Sequence, residues 1–470
     1  MYIAYFLIFL VVVLLLVDAK KGILLGLMVR PIIDCFWELK YSLGLRPTEM
    51  ISVVLPLLVF LRILIGRDRS FTRAPLSGIW IAFISYQVIS ALIIATVGPA
   101  SMTQTSGTAF GGTETNTLMD ALEFFTRAFN GFIGYYLFQE FFSNKKDFRL
   151  LLLALLIGSI FPLAQSVYMN AFGGMMRAER TIGGLTRTIG FYHDSATLRL
   201  YTFQAIASIT LYLAYFSYRK VMSKAALYVM GFVSAFTIFK LYSKAGFVIS
   251  AAWLLIWNGY RKNFLILGVV VVLLPILVLA IGPTSYLKSV EAVYSHETDV
   301  LLGRTSVEHS LSGRWAGWKE ALQAWQKAPI LLKVMGMGDK AVGEHNDFLR
   351  SLVSTGVIGL FLYLTLLASV GIRLFINCTR DPTPLNIVGV MIYVMWWVDS
   401  MGLVPGAYTS YQWFAWGFIG LALRGVAGLA VPGKATHVRE EQPGKEFRAP
   451  NELVNRAKTV LRSRYAEQRE

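Results

Sequence analysis

Long apolar runs recur along nearly the whole chain, divided by short polar stretches. They fall at roughly 2–17, 22–39, 50–65, 76–97, 118–142, 150–169, 196–217, 225–239, 245–258, 263–283, 346–372, 384–402 and 408–423. A helix of roughly 20 apolar residues crosses the ~30 Å hydrocarbon core of a bilayer. Open strands are excluded there, because lipid offers no partner for a backbone N–H or C=O. The pattern therefore predicts an all-α, polytopic integral membrane protein of about 12–13 transmembrane helices with one large extramembrane loop. The run at 22–39 is the least regular, since Arg30, Pro31 and Asp34 interrupt it.

The connections alternate in charge. One set carries Lys20 and Lys21; Arg67, Arg69 and Arg73; Lys145, Lys146 and Arg149; Arg219, Lys220 and Lys224; Arg261 and Lys262; Arg373 and Arg380. The opposite set includes 98–117 and 403–407, which hold no Lys or Arg. Cytoplasmic loops are the basic ones, so the C-terminus is expected inside and, with about thirteen crossings, the N-terminus outside. Four parts follow: a helical bundle at 1–283, a large outer loop at 284–345, C-terminal spans at 346–425 and a basic cytoplasmic tail at 426–470.

Composition agrees with this picture. The chain has 470 residues, 55% hydrophobic and 15% charged, against roughly 25% charged in soluble domains; its mean hydropathy is +0.56. A net charge of +16 would suggest nucleic acid in a soluble protein, but here it reads as topology anchoring and no nucleic-acid partner is expected. Cys35 and Cys378 match neither a metal-ligand spacing nor a disulfide framework. In the first run the lysines follow the apolar segment, which reads as a retained span rather than a cleaved signal.

Some cations defy the charge rule. Expected outer connections contain Arg177, Arg180 and Arg187; Lys240 and Lys244; and Arg304, Arg314, Lys319, Lys327 and Lys340. His193, His296, His309 and His345 fall on the same side. Each cation alone reads as solvated loop charge or lipid-phosphate anchoring; the set together points to a polyanionic ligand. Arg187 and Lys244 each stand near a helix start, where backbone N–H groups favour anions.

Residues 312–328, SGRWAGWKEALQAWQKA, have amphipathic helical spacing, with Trp315, Trp318, Leu322 and Trp325 on one face. Ser312 is a candidate cap and Pro329 a terminator. Tryptophan favours the headgroup level, so this helix is expected to lie on the outer membrane surface, with Arg314 at its start available to phosphate. Beyond Gly336 and Gly338 comes Glu344-His345-Asn346-Asp347. Asn346 suits capping and Asp347 the helix dipole. His345 is not needed as a cap, and its imidazole suits general-base work. Gly356 and Gly359 permit close helix approach.

These places resemble the O-antigen ligase and O-antigen polymerase family of bacterial envelope glycan enzymes. The likeness rests on Arg187, Gly190 and His193; on Ser243-Lys244-Ala245, where the family commonly has Ser-Arg-Gly; on Ser312-Gly313-Arg314-Trp315; and on His345-Asn346 with Leu349, Gly356 and Gly359. It covers roughly 185–375. Lys244 keeps the charge of the family's Arg but loses its bidentate fork.

The resemblance implies a helical transferase in the bacterial inner membrane, its large loop periplasmic. The implied donor is an undecaprenyl-diphosphate-linked glycan, the acceptor lipid A-core or a second glycan unit, and no metal or cofactor is needed. Arg187, Lys244 and Arg314 would hold the diphosphate, and His345 would act on the acceptor hydroxyl, inverting the anomeric centre. His193, Asn346, Asp399, Arg304 and Lys240 are possible supporting residues; Asp399 could equally be half of a packing ion pair. Ligase and polymerase share this chemistry. A lipid-linked sugar flippase is a third reading, disfavoured because Asp120, Glu123, Arg127, Arg199 and Asp399 sit nearer run ends than mid-membrane.

Overall fold

The computed structural model of the chain describes residues 2–37, 46–65, 70–102, 117–172, 181–182, 185–186, 188–216, 221–263, 265, 268, 295, 298–300, 302–304, 314–338 and 345–429. Helices dominate these residues. They are α1 (Tyr2–Val17), α2 (Ala19–Ile33), α3 (Pro47–Ile65), α4 (Ser70–Arg73), α5 (Ser77–Met102), α6 (Thr117–Phe141), α7 (Lys145–Phe172), α8 (Ser195–Tyr215), α9 (Val221–Lys240) and α10 (Lys244–Arg261). After them come α11 (Arg314–Lys327), α12 (Ile330–Met335), α13 (Asp347–Arg380), α14 (Pro384–Gly402) and α15 (Thr409–Arg424). Two-residue strands, β1 (Thr181–Ile182) and β2 (Leu185–Thr186), pair antiparallel before α8.

Twelve of the thirteen apolar runs coincide with a helix. The run at 263–283 lies almost wholly outside the described residues. Among the described residues, α7, α13 and α14 are long and apolar enough to cross a membrane. Large apolar side chains stand outward on several helices, among them Phe6, Phe232, Phe361 and Ile372, each more than 60% exposed. Helices apolar on their outer faces suit lipid rather than water, and the protein is accordingly a membrane-associated helical protein.

The irregular second run is accommodated by pairing its charges. Arg30 Nε lies 2.7 Å from Asp34 Oδ1, one helical turn on, with both side chains under 10% exposed. Tyr201 of α8 donates to Asp34 at 2.5 Å, and a short 3₁₀ turn, Asp34–Phe36, ends the element. A buried charge is tolerated when paired and hydrogen-bonded.

The bundle has two distinguishable ends. At one, Lys20 bonds Asp147 at 2.6 Å, Lys145 N and Ser143 O bracket Ala427, and Arg424 reaches Gln139 O at 3.0 Å. The chain after α15 is thereby bonded to the start of α7. At the other end, α8, α10, α13 and α15 begin and α2 and α14 finish. The core between them is aromatic: Trp80 packs on Tyr135 and Trp416, and Trp413 donates to Asn130 Oδ1 at 3.0 Å.

Within 284–345, α11 and α12 pack against α13. Gly356 breaks α13 with φ +70° and, as its residue type suggests, permits close approach of another helix, the end of α12. Segment 334–338 comes up against that break, Met337 N donating to Val353 O at 2.8 Å and Gly338 N to Ser354 O at 3.3 Å. A Cβ at Gly356 would stand 2.1 Å from Val334 O, so only glycine fits.

Candidate functional site

The end where α8, α10, α13 and α15 begin gathers most of the residues singled out from the sequence. Asp194 caps α8, accepting from Thr197 N at 2.8 Å and from Thr197 Oγ1 at 3.0 Å. Its other oxygen accepts from Tyr408, just before α15, at 2.5 Å, and lies 3.7 Å from His193 Nδ1. Burial penalises the Asp194 carboxylate, yet the bonds from His193, Tyr408 and Thr197 outweigh it and hold its pKa at about 2. His193 itself is exposed, its ring edge-on to Trp37 at 4.3 Å.

One turn into α8, Arg199 is buried. It donates to Ser243 Oγ at 2.7 Å and forms an ion pair with Asp399 in the last turn of α14. The second oxygen of Asp399 accepts from Tyr411 at 2.8 Å. Asp399 is thus half of a buried pair, the packing role weighed for it above. A small cavity opens beside Arg199, Asp399, Tyr408 and Tyr411.

Ser243 caps α10, accepting from Gly246 N at 3.2 Å. The turn that presents it is tight: Tyr242 takes φ +45°, a conformation costly to a side chain with a Cβ. Lys244 is the first residue of α10, next to the serine that binds Arg199. Lys240, at the end of α9, lies with Nζ 5.9 Å from the centroid of Phe236, a cation–π distance.

Arg314 opens α11 and donates to Gly402 O, at the end of α14, at 2.6 Å. That bond ties α11 to the helix carrying Asp399. The rest of α11 meets α13 through part of its apolar stripe. Ala321 is its buried residue, packed with Val353, Trp325, Met337 and Leu349, while Trp315 and Leu322 remain 44% and 38% exposed. Pro329 ends the element as expected. Exposed Ile330 and Leu331 extend the apolar patch into α12.

His345 is exposed at the bend before α13. Asn346 caps that helix, its Oδ1 accepting from Phe348 N at 3.1 Å and Leu349 N at 3.0 Å. Asp347 is buried and accepts from Tyr363 at 2.6 Å; Tyr363 in turn accepts from Trp396 Nε1 at 2.8 Å. Arg304 is exposed, 3.6 Å from Asp299. Arg187, Ser312, Gly313, His296, His309 and Lys340 lie outside the described residues.

Asp347 lines a cavity between α5, α6, α13, α14 and α15. Trp80, Phe83, Trp396 and Trp416 form aromatic walls; Gln87, Arg127, Arg350 and Gln412 supply polar groups. Sequence reasoning noted Arg127 and Arg199 as charges inside apolar runs without finding where they point. It passed over Arg350, Tyr408 and Tyr411; the Tyr-x-x-Tyr spacing at the start of an apolar run was the available signal. Among the described residues no three His, Cys, Asp or Glu side chains gather as metal ligands. No protein-family model matches the chain, and no curated protein matches it.

Proposed function

We propose that this protein is an integral membrane glycosyltransferase of the O-antigen ligase type. It moves a glycan from undecaprenyl diphosphate to an acceptor hydroxyl at the periplasmic face of the bacterial inner membrane. In this reading the chain crosses the bilayer about 12–13 times, with 284–345 as its periplasmic loop and 426–470 as its cytoplasmic tail. One observation carries the proposal: His193, Lys244, Arg314, Asn346 and Asp399 come from five separate elements to one end of the bundle. The basic connections at Lys20, Lys145 and Arg424 meet at the other. That division supports the sidedness read from charge.

Chemically, an acceptor hydroxyl attacks the anomeric carbon opposite the diphosphate. The new glycosidic bond forms as the bond from carbon to phosphate oxygen breaks, and undecaprenyl diphosphate departs with the electron pair. His345, exposed at the bend before α13, takes the hydroxyl proton and returns it to water. Arg314, with Lys244 and Arg187, stabilises the charge growing on the leaving group. The Gly402 bond fixes the Arg314 guanidinium in place, and the Arg199–Asp399 pair holds α8, α10 and α14 in register beneath Lys244.

The test is purified protein in detergent, given undecaprenyl-diphosphate glycan with either lipid A-core or a second lipid-linked repeat unit. Glycan on lipid A-core identifies a ligase, and ladder growth on the polyprenyl carrier a polymerase. Movement of lipid-linked sugar across vesicles without any new glycosidic bond overturns both. Arg314→Ala should weaken donor binding by roughly 1.5–3 kcal/mol, the size of one charge-assisted contact; unchanged donor affinity would remove it from the diphosphate site.

A further inference from the structure

The break in α13 is held by a side chain as well as by a glycine. Gly356, at φ +70° and ψ −175°, interrupts the helix. The three carbonyls just before it accept from outside α13. Val353 O accepts from Met337 N at 2.8 Å and Ser354 O from Gly338 N at 3.3 Å. Thr355 O accepts from Tyr86 Oη of α5 at 2.8 Å. The N–H of Gly359, which would bond Thr355 O in an unbroken helix, also interacts with the Tyr86 oxygen. The hydroxyl thus stands inside the ladder of α13, an insertion of the kind that kinks helices. Gly359 leaves it room, since a Cβ there would meet Tyr86 Cε1 at 3.0 Å.

The same face of α5 grips the segment wedged into the break. Tyr86 Oη lies 3.2 Å from Val334 O and 3.4 Å from Met335 O. Ser90, one turn on, donates to Met335 O at 2.6 Å. Tyr86 and Ser90 are 7% and 1% exposed, so water does not replace these bonds when they are lost. The first turns of α13 take their direction from this clamp. They carry the Asn346 cap and follow His345 directly. Arg314 is anchored separately, to Gly402 O of α14.

We infer that Tyr86 is a positioning residue: its hydroxyl, inserted at the break, sets the direction of the first turns of α13 and so of His345. As a statement about the reaction it rests on the transferase reading. As a statement about the helix it does not, because the measurement needs no turnover. Without the hydroxyl, Thr355 O and Gly359 N have each other as partners. Closing that bond draws Gly356 toward helical dihedrals and swings the first turns.

Spin–spin distance measurement on the full-length protein in detergent tests the helix. The labels sit at His345→Cys and at Ile372→Cys, the latter 61% exposed farther along α13, in a background carrying Cys35→Ala and Cys378→Ala. With Tyr86 intact the pair should give one narrow distance, and Tyr86→Phe, which keeps the ring, should shift or broaden it. Tyr393→Phe is the control: it removes a comparable bond, 2.8 Å to Leu367 O of the same helix beyond the break, and should leave the distance unchanged. In transfer assays on unlabelled protein, Tyr86→Phe should lower kcat about ten-fold or more and leave donor KM within about two-fold, since Arg314 keeps its own anchor. Tyr393→Phe should alter neither. An unchanged distance in Tyr86→Phe, an equal change in Tyr393→Phe, or a changed distance with wild-type kcat overturns the inference. A distance change confined to Tyr86→Phe upholds the hinge, and if the wild type then transfers no glycan, the enzyme reading alone is sunk.

Discussion

Arg199 and Asp399 are 200 positions apart in sequence and form one buried ion pair. Such a pair contributes little over apolar packing, but losing one partner strands the other charge, at a cost of roughly 3–5 kcal/mol. Asp399→Leu should therefore lower the thermal midpoint in detergent sharply, and Arg199→Met with Asp399→Leu should recover most of the loss. If the double variant melts no higher than the single one, the pair is not the reason both charges are tolerated. Asp194 gives a pH signature. Its folded pKa is about 2, below the ordinary 3.8, so its stabilisation is complete above roughly pH 4 and disappears as pH falls toward 2. Tyr408→Phe removes one bond that lowers the pKa of the carboxylate and should make the loss of stability below about pH 4 smaller, read by melting across pH 2–6. Both charges in the pair were visible in the sequence as interruptions of apolar runs. Their partnership was not, because no local spacing relates residues on α8 and α14.

Elements were more legible than contacts. Apolar run length placed twelve helices, and Asn346 and Pro329 mark a start and an end where capping and proline chemistry put them. The orientation of α11 was not legible. Its tryptophans define an apolar stripe, of which Trp325 packs beside Ala321 against α13 while Trp315 and Leu322 face outward. Spacing gives a stripe; the shape of the partner decides which part of it is covered. Gly356 shows the same limit, since its φ of +70° answers to the backbone of segment 334–338. Gly356→Ala should cost at least about 2 kcal/mol, from a left-handed alanine and its collision with Val334 O, lowering the thermal midpoint. An unchanged midpoint would mean that the break in α13 is not held by this contact.

At the scale of the whole molecule, the two ends of the bundle hold different sets of polar residues. Lys20, Asp147 and Arg424 lie at one end of the bundle; Asp194, Ser243, Asp399 and Arg314 lie at the other. Single cysteines at 193 and 345 should react with an impermeant thiol reagent from the outer side of intact spheroplasts, and a cysteine at 146 only after lysis. Labelling of 193 and 345 from opposite sides would break the site in two. The aromatic cavity was beyond sequence reasoning, because Trp80, Arg127, Arg350 and Trp416 belong to four helices spread over most of the chain. The chemistry assigned to the whole rests on a bond being made. The deciding measurement is single-turnover release of undecaprenyl diphosphate from a labelled donor, matched against glycan appearing on the acceptor, for wild type and His345→Ala. The account predicts equal amounts of both products from wild type and neither from the folded variant. Product formation by His345→Ala at the wild-type rate, or no glycosidic bond from wild type with either acceptor, would contradict it.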